Sequence, residues 1–383
     1  MTPAPADPLA KGVLRYKQQG VALELATAEG LFSTATIDPG TRFLLRRLAE
    51  PDLAGARSIL DVGCGYGPLG LWLAAAGGDR SVVAVDRDAL AVEVTGGNAA
   101  RNGVASRVTA GASLGYDDVD AAGIDLVVSN IPAKVGPEAL RHLVLDAPGD
   151  LLAVVVVDRL VAAVDDLLAG AELVDRRVTK GYATFVARTD RSRADERSGF
   201  ERGVYGRGDH EFSAAGFRWS AATSFSLPEF DTLGHGTTAA AVVLAGMSFD
   251  GPTGVVGVSQ GHLARMLELQ VTSPVLVDRD LLALRTAAAN LAGAADLRHT
   301  ARPDLGGCAG AVVALPEKEP VSVTAALLAA AFRQLPPGAP VVLHGRAVDV
   351  GRVLDLLSKN LRRPVKEQVR HAISGFAAVR VAA

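Results

Sequence analysis

Apolar residues in this chain cluster in short runs, and between the runs they recur at helical spacing. In the first half the runs predict strands over Ser58–Val62, Ser81–Val85, Arg107–Ala110, Leu126–Ser129, Leu152–Val157, Glu172–Val178 and Tyr182–Arg188. Helices are expected between them, notably Leu69–Ala75 after a glycine-rich turn and Ala89–Asn102. Such alternation is the mark of an α/β fold built on a mostly parallel sheet. Leu151 to Val157 reads as a buried strand, and no apolar run approaches the roughly 18 residues that cross a bilayer. In the second half Leu335-Pro-Pro-Gly-Ala-Pro340 marks the turn before another strand.

The strand at Ser58 runs into Asp61-Val-Gly63-Cys-Gly65-Tyr-Gly67-Pro-Leu-Gly70, a carboxylate followed by glycines that open a helix. Such a turn lets backbone pass close under a nucleoside and presents helix amides to it. The next strand ends in Asp86, placed to accept hydrogen bonds from both ribose hydroxyls. Gly65 to Gly70 formally satisfies the dinucleotide pattern G-x-G-x-x-G. Asp61, however, would face a pyrophosphate with no cation nearby. S-adenosylmethionine (SAM), with a sulfonium and an ammonium, is the ligand whose charge complements it.

The strand ending at Ser129-Asn130-Ile131-Pro132 would open beside this turn, at the switch point where doubly wound sheets hold ligands. Carbonyl oxygens of an Asn there can grip the hydrogens of an exocyclic amine while its lone pair faces a methyl donor. Catalysis would then rest on positioning, without a nucleophile or strong base.

Together with Gly30-Leu-Phe-Ser-Thr-Ala-Thr-Ile-Asp-Pro-Gly-Thr41, these motifs resemble the ribosomal RNA guanine-N2 methyltransferases. More broadly they resemble class I methyltransferases with an Asn-Pro-Pro-aromatic motif. The resemblance runs from about Gly20 to Arg188. It implies that Phe32, Ser33, Asp38, Gly40 and Thr41 close over the cofactor. It implies Asp61, Gly63, Gly65 and Gly67 around the methionine part and Asp86 at the ribose, with Arg87 beside it. Asn130 and Pro132 would meet the target amine. There are two departures. Ala133 stands at the aromatic position, which opens the site to amines other than a nucleobase. The family's acid after the third strand is missing from Gly111-Ala112-Ser113, so Ser113 or backbone would hold the adenine amino group.

The chain also repeats itself, which implies two tandem Rossmann-like class I methyltransferase folds, each with a seven-stranded, mostly parallel sheet. Phe225-Ser, Asp231 and Gly236-Thr237 echo Phe32-Ser, Asp38 and Gly40-Thr41. Val277-Asp278-Arg279-Asp280 repeats Val85-Asp86-Arg87-Asp88, and Asn290 falls where Asn98 falls. Ala314-Leu-Pro316 echoes Asn130-Ile-Pro132, and Gly375 to Val381 echoes Gly181 to Arg188. Gly257-Val-Ser-Gln-Gly261-His, aligned with Asp61-Val-Gly-Cys-Gly65-Tyr, keeps only Gly261 of the turn glycines and has lost the acid. The second copy is therefore expected to be degenerate and to bind no cofactor. The expected division is an extension over 1–19, a catalytic domain over 20–188, a charged linker over 189–222 and the degenerate domain over 223–383.

Composition changes the picture at three points. Net charge is −3 over 383 residues, little for a protein that grips RNA phosphates. Local patches remain: Arg188, Arg191, Arg193, Arg197, Arg202, Arg207 and Arg218 alternate with Phe200, Tyr205, Phe212 and Trp219, though acids nearly cancel them. A second cluster is Arg346, Arg352, Lys359, Arg362, Arg363 and Lys366. The two cysteines, Cys64 and Cys308, and a start without signal-peptide character point to a reducing, cytoplasmic setting. The histidines show no metal-ligand spacing, so no metal is expected. The leading expectation is a SAM-dependent N-methyltransferase with ribosomal RNA as substrate, most simply at guanine N2. The alternatives are methylation of a small-molecule or peptide amine, and a non-catalytic SAM-binding RNA assembly factor.

Overall fold

The structure, a computed structural model, describes residues 7–190, 197–270 and 272–383. Arg191 and Arg193 of the first arginine cluster lie outside them. The chain divides into two units, residues 10–205 and 206–383, with residues 7–9 belonging to the second.

The first unit opens with an antiparallel hairpin, β1 (Ala10–Gln18) and β2 (Val21–Ala28). The remaining elements are α1 (Pro39–Leu48), β3 (Ser58–Val62), α2 (Pro68–Ala76), β4 (Ser81–Asp86), α3 (Ala89–Arg101), β5 (Val108–Ala112) and β6 (Leu126–Asn130). They continue as α4 (Pro137–Leu145), β7 (Leu151–Val157), α5 (Asp158–Leu168), β8 (Leu173–Thr179) and β9 (Tyr182–Arg188). The sheet order is β5-β4-β3-β6-β7-β9-β8, with β9 antiparallel to both neighbours. The strand order reverses between β3 and β6, which run parallel, so Asp61 and Asn130 stand near the carboxyl ends of neighbouring strands. Two apolar layers sandwich the sheet, one around Ile59, Leu71 and Trp72 and the other around Leu60, Val127 and Phe185.

The second unit repeats this plan. After the hairpin β10 (Gly206–Ala214) and β11 (Phe217–Ser224) come α6 (His235–Ala245), β12 (Thr253–Val256), α7 (His262–Leu269), β13 (Pro274–Asp278), α8 (Leu281–Ala289) and β14 (Asp296–His299). Then follow β15 (Gly310–Ala314), α9 (Val321–Phe332), β16 (Pro340–Arg346), α10 (Ala347–Leu361), β17 (Val369–Ile373) and β18 (Phe376–Ala382). The order β14-β13-β12-β15-β16-β18-β17 matches the first sheet strand for strand. Two seven-stranded class I folds in tandem are therefore present, as the repeats imply.

The domain boundaries differ from those expected. Residues 206–224 form a hairpin of the second unit rather than a linker, with Phe212 and Trp219 packed on His262. Residues 10–19 are β1 and its turn, not an extension. The duplication reaches into these hairpins: each has a register shift near its start, at Gly12 and at Gly208. Arg202 bonds Asp146, and Arg207 bonds Asp231 and lies over Phe230, so these two arginines serve local structure.

His344 on β16 is buried, and its Nε2 has no partner among the described residues. Burial pushes its pKa down to about 4. In the unfolded chain the ring takes a proton below about 6.5, which the folded state refuses down to about 4. Its contribution to stability should thus fall as pH drops through that window, by up to about 3 kcal/mol. Urea denaturation at pH 6.5 and 4.5 should show His344→Leu losing less stability than wild type; equal losses would refute this.

Candidate functional site

At the end of β3 the chain folds back beneath β4: the amides of Gly63 and Cys64 both donate to the Val85 carbonyl, at 2.9 and 3.0 Å. Gly63, Gly65 and Gly67 take φ values of +73, +60 and +89°, in the left-handed region that side chains avoid. Asn98 locks the turn. Its Nδ2 donates to the carbonyls of Tyr66 and Ala26, and its Oδ1 accepts from the Ala26 amide. The Cys64 thiol is buried and pushed well up by burial and by Asp86 and Asp61, so it packs rather than reacts.

Asp61 is fully buried. Its Oδ2 accepts from the Gly70 amide at 2.8 Å, and a Cβ on Gly70 would stand 3.0 Å from that oxygen. Its Oδ1 has no partner among the described residues. Burial pushes the Asp61 pKa up to about 7, and the charge of Asp86 adds to the rise. Asp86 accepts from the Gly65 amide at 2.9 Å and the Asp88 amide at 3.0 Å, and burial raises its pKa as well. Two desolvated carboxylates repelling each other, one with an orphaned oxygen, form a site that a cation would relieve. The methionine end of SAM fits that requirement, and Asp86 keeps lone pairs for a ribose.

The second half of the site is built around Asn130. Asp38 N-caps α1 by accepting from the Thr41 amide at 3.0 Å. The same Oδ2 accepts from Asn130 Nδ2 at 3.0 Å, and Thr41 Oγ1 accepts from that nitrogen at 2.9 Å. A carboxylate has no hydrogen to give, so the Asn130 amide is oriented with its NH2 toward Asp38 and its Oδ1 away. The Tyr182 hydroxyl bonds the other Asp38 oxygen at 3.4 Å. Gly40 allows this crowding, since a Cβ there would lie 2.7 Å from the Tyr182 ring. The Ile131 amide donates to Val155, and Arg159 donates to the Ala133 carbonyl, fixing the segment that carries exposed Pro132.

Several expectations change here. Asp38 and Thr41 spend their side chains on Asn130, a role the resemblance did not give them. Phe32 is 71 % exposed on a loop joined to the turn where Tyr66 donates to the Ser33 carbonyl. The Ser113 hydroxyl is used inside its own loop, donating to Gly115 and accepting from the Asp118 amide, so it is poorly placed to serve adenine. That contact brings the Asp118 carboxylate to the Leu114 amide, an acid after β5 that sequence spacing had not revealed. Arg87 follows Asp86 and lowers its pKa against the rise.

The second unit's turn lies two residues from the register that its sequence suggests. Strand pairing sets Val255 opposite Val312 as Asp61 is opposite Val128, so Val255 replaces the acid. Gly257, Ser259 and Gly261 then match Gly63, Gly65 and Gly67, with φ of +75, +52 and +89°. Two glycines survive, not one, and the turn keeps its shape. Asp231 is not the counterpart of Asp38; Glu229 instead accepts from Gly234 and Thr237 at the start of α6. Ala314 ends β15 where Asn130 ends β6.

Residues 22–154 match the family model of the methyltransferase small domain. Among individual relatives, ribosomal RNA small subunit methyltransferase C of Chromohalobacter salexigens is 43% identical over 146 residues, 36% of this chain and 41% of that protein. An uncharacterized protein of Bacillus subtilis, YbxB, is 36% identical over 115 residues, 30% and 56% of the two chains. Ribosomal protein L11 methyltransferase of Pelotomaculum thermopropionicum is 40% identical over 129 residues, 30% and 40%. The chain thus spans about half or less of the length of these curated relatives. A T. thermophilus 16S rRNA N2 methyltransferase, solved with AdoMet and guanosine, shares the two-domain fold at TM-score 0.67 and 16% identity, covering 97% of this chain and 98% of that one.

Proposed function

We propose that the protein is a cytoplasmic SAM-dependent methyltransferase that modifies an exocyclic amine of ribosomal RNA, with guanine N2 as the target. The observation that carries this reading is the Asn130 amide, whose nitrogen is committed to Asp38 and Thr41. Its Oδ1 is left to accept a hydrogen from an incoming amine, turning the amine lone pair toward the donor. SAM, when bound, supplies a methyl group on a positively charged sulfur. Asp61 and Asp86 hold its charge and ribose, Asp118 stands near the adenine end, and Phe32 covers the opening. Asn130 takes no proton; it orients, and the barrier falls because the reactants are held in line.

Ribosomal RNA as substrate is supported by the relatives' names and by the repeated fold. The exposed Ala133, where an aromatic would stack on a base, favours a second reading, transfer to a small-molecule or peptide amine. Incubation with methyl-labelled SAM separates the two. Label in unmodified ribosomal RNA, recovered as N2-methylguanosine, supports the first reading, and label only in a metabolite or peptide fraction the second. Exposed Arg352, Lys359, Arg363 and Lys366, on and after α10, form the candidate phosphate-contacting surface. Reversing Lys359, Arg363 and Lys366 to Glu should weaken RNA binding across sequences and lower its salt slope by roughly two, with SAM affinity unchanged. An unaltered slope would remove that surface from the account.

A further inference from the structure

In the second unit a cavity of about 160 Å³ opens at the carboxyl ends of β12, β13 and β15. Its floor is apolar, from Val256, Val313, Leu327 and Leu328, and its charged groups are Asp278, Arg279 and Glu319. We propose that this cavity is a binding site for an uncharged nucleoside, distinct from the SAM site of the first unit.

Asp278 is held much as Asp86 is. It accepts from the Val258 amide at 2.8 Å and the Asp280 amide at 2.9 Å, and the Thr300 amide donates to its carbonyl at 3.1 Å. Asp86 accepts from the Gly65 and Asp88 amides at 2.9 and 3.0 Å and its carbonyl from Ser113 at 3.1 Å; Val258 aligns with Cys64, so the second turn reaches its carboxylate one residue earlier. Both oxygens of Asp278 retain lone pairs for vicinal hydroxyls. The turn beneath keeps its left-handed positions even where Ser259, a residue that disfavours them, has replaced glycine. Asn290 still bonds Ala222 and Gln260, as Asn98 bonds Ala26 and Tyr66. The nucleoside half of the original site is thus intact.

The other half has been removed. Val255 stands where Asp61 neutralises a cation, and Ala314 where Asn130 grips an amine. Arg279 and Glu319 pair at 3.0 Å and cancel each other's charge. A ligand with a sulfonium would find Asp278 alone, placed for the ribose, and no second carboxylate where Asp61 stands in the first unit, whereas a neutral base with a ribose needs only Asp278. An apolar cavity of about 150 Å³ admits a benzene-sized ring. This one is similar in size and open at the mouth, so a base enters with its sugar toward Asp278.

The test uses the full chain with its first site disabled by Asp61→Asn and Asp86→Ala. Calorimetric titration with adenosine should show one site per chain, with SAM binding at least tenfold more weakly. Adding Asp278→Asn, or Ala301→Phe to fill the cavity from its lining loop without touching the hydrogen bonds, should each weaken adenosine at least tenfold. Adenosine 3′-phosphate, lacking one free hydroxyl as a nucleotide within RNA does, should bind more weakly than adenosine. No adenosine binding, binding indifferent to both added substitutions, SAM binding as tight as adenosine, or a preference for the 3′-phosphate would overturn the proposal. None of these outcomes bears on SAM binding by the first unit, which wild-type titration reads separately.

Discussion

Asn130→Ala should lower kcat for methyl transfer by roughly 10²-fold or more while SAM affinity stays within about twofold of wild type, since loss of a positioning contact costs rate before binding. The prediction follows from an amide whose nitrogen is held by two acceptors, leaving one oxygen with a job. Asp38→Asn supplies a companion test. Asn is as good an N-cap as Asp, so α1 should survive, but an amide can donate and would let Asn130 turn over. An intermediate loss of kcat with unchanged SAM affinity is expected. Single-turnover kinetics with saturating SAM would check both variants, and full activity in Asn130→Ala would exclude the positioning mechanism.

The second large effect concerns Asp61. Asp61→Asn preserves an acceptor for the Gly70 amide and removes only the charge, so SAM affinity should fall roughly 10²-fold, or about 2–3 kcal/mol. The pH dependence sharpens this. With its pKa raised to about 7, Asp61 is protonated below that pH in the empty site, and a bound cation must displace the proton. Wild-type affinity should therefore rise with pH, by up to tenfold per unit, and level off above about pH 7. Asp61→Asn should show no such slope. A flat wild-type profile from pH 5.5 to 8 would mean that Asp61 does not face the charge of the donor.

What the sequence disclosed, and what it hid, follows from how each feature is encoded. Asp86 and Asn130 end apolar strands and Asp61 stands one residue before the end of its own, so composition and position together mark them. The partnership of Asp38 with Asn130 joins residues 92 positions apart across a loop, and no periodicity reports it. The hairpin of β1 and β2 is not legible in the sequence because β1 is largely exposed and lacks a clean alternation. Arg207 and its acidic neighbours read as a solvated linker because composition does not reveal that Phe225 and Phe230 lie under the guanidinium. The register of the second glycine turn is hidden in the sequence because Val255 stands in place of the carboxylate that marks the first. Backbone shape outlasted that marker, through Gly257, Ser259 and Gly261.

The most direct test is calorimetric titration of SAM into wild type, Asp86→Ala and Asp278→Ala. One site per chain is expected in wild type, lost or weakened at least tenfold in Asp86→Ala and unaltered in Asp278→Ala. Equal affinity in wild type and Asp86→Ala, or loss confined to Asp278→Ala, would contradict the assignment of the donor to the first domain.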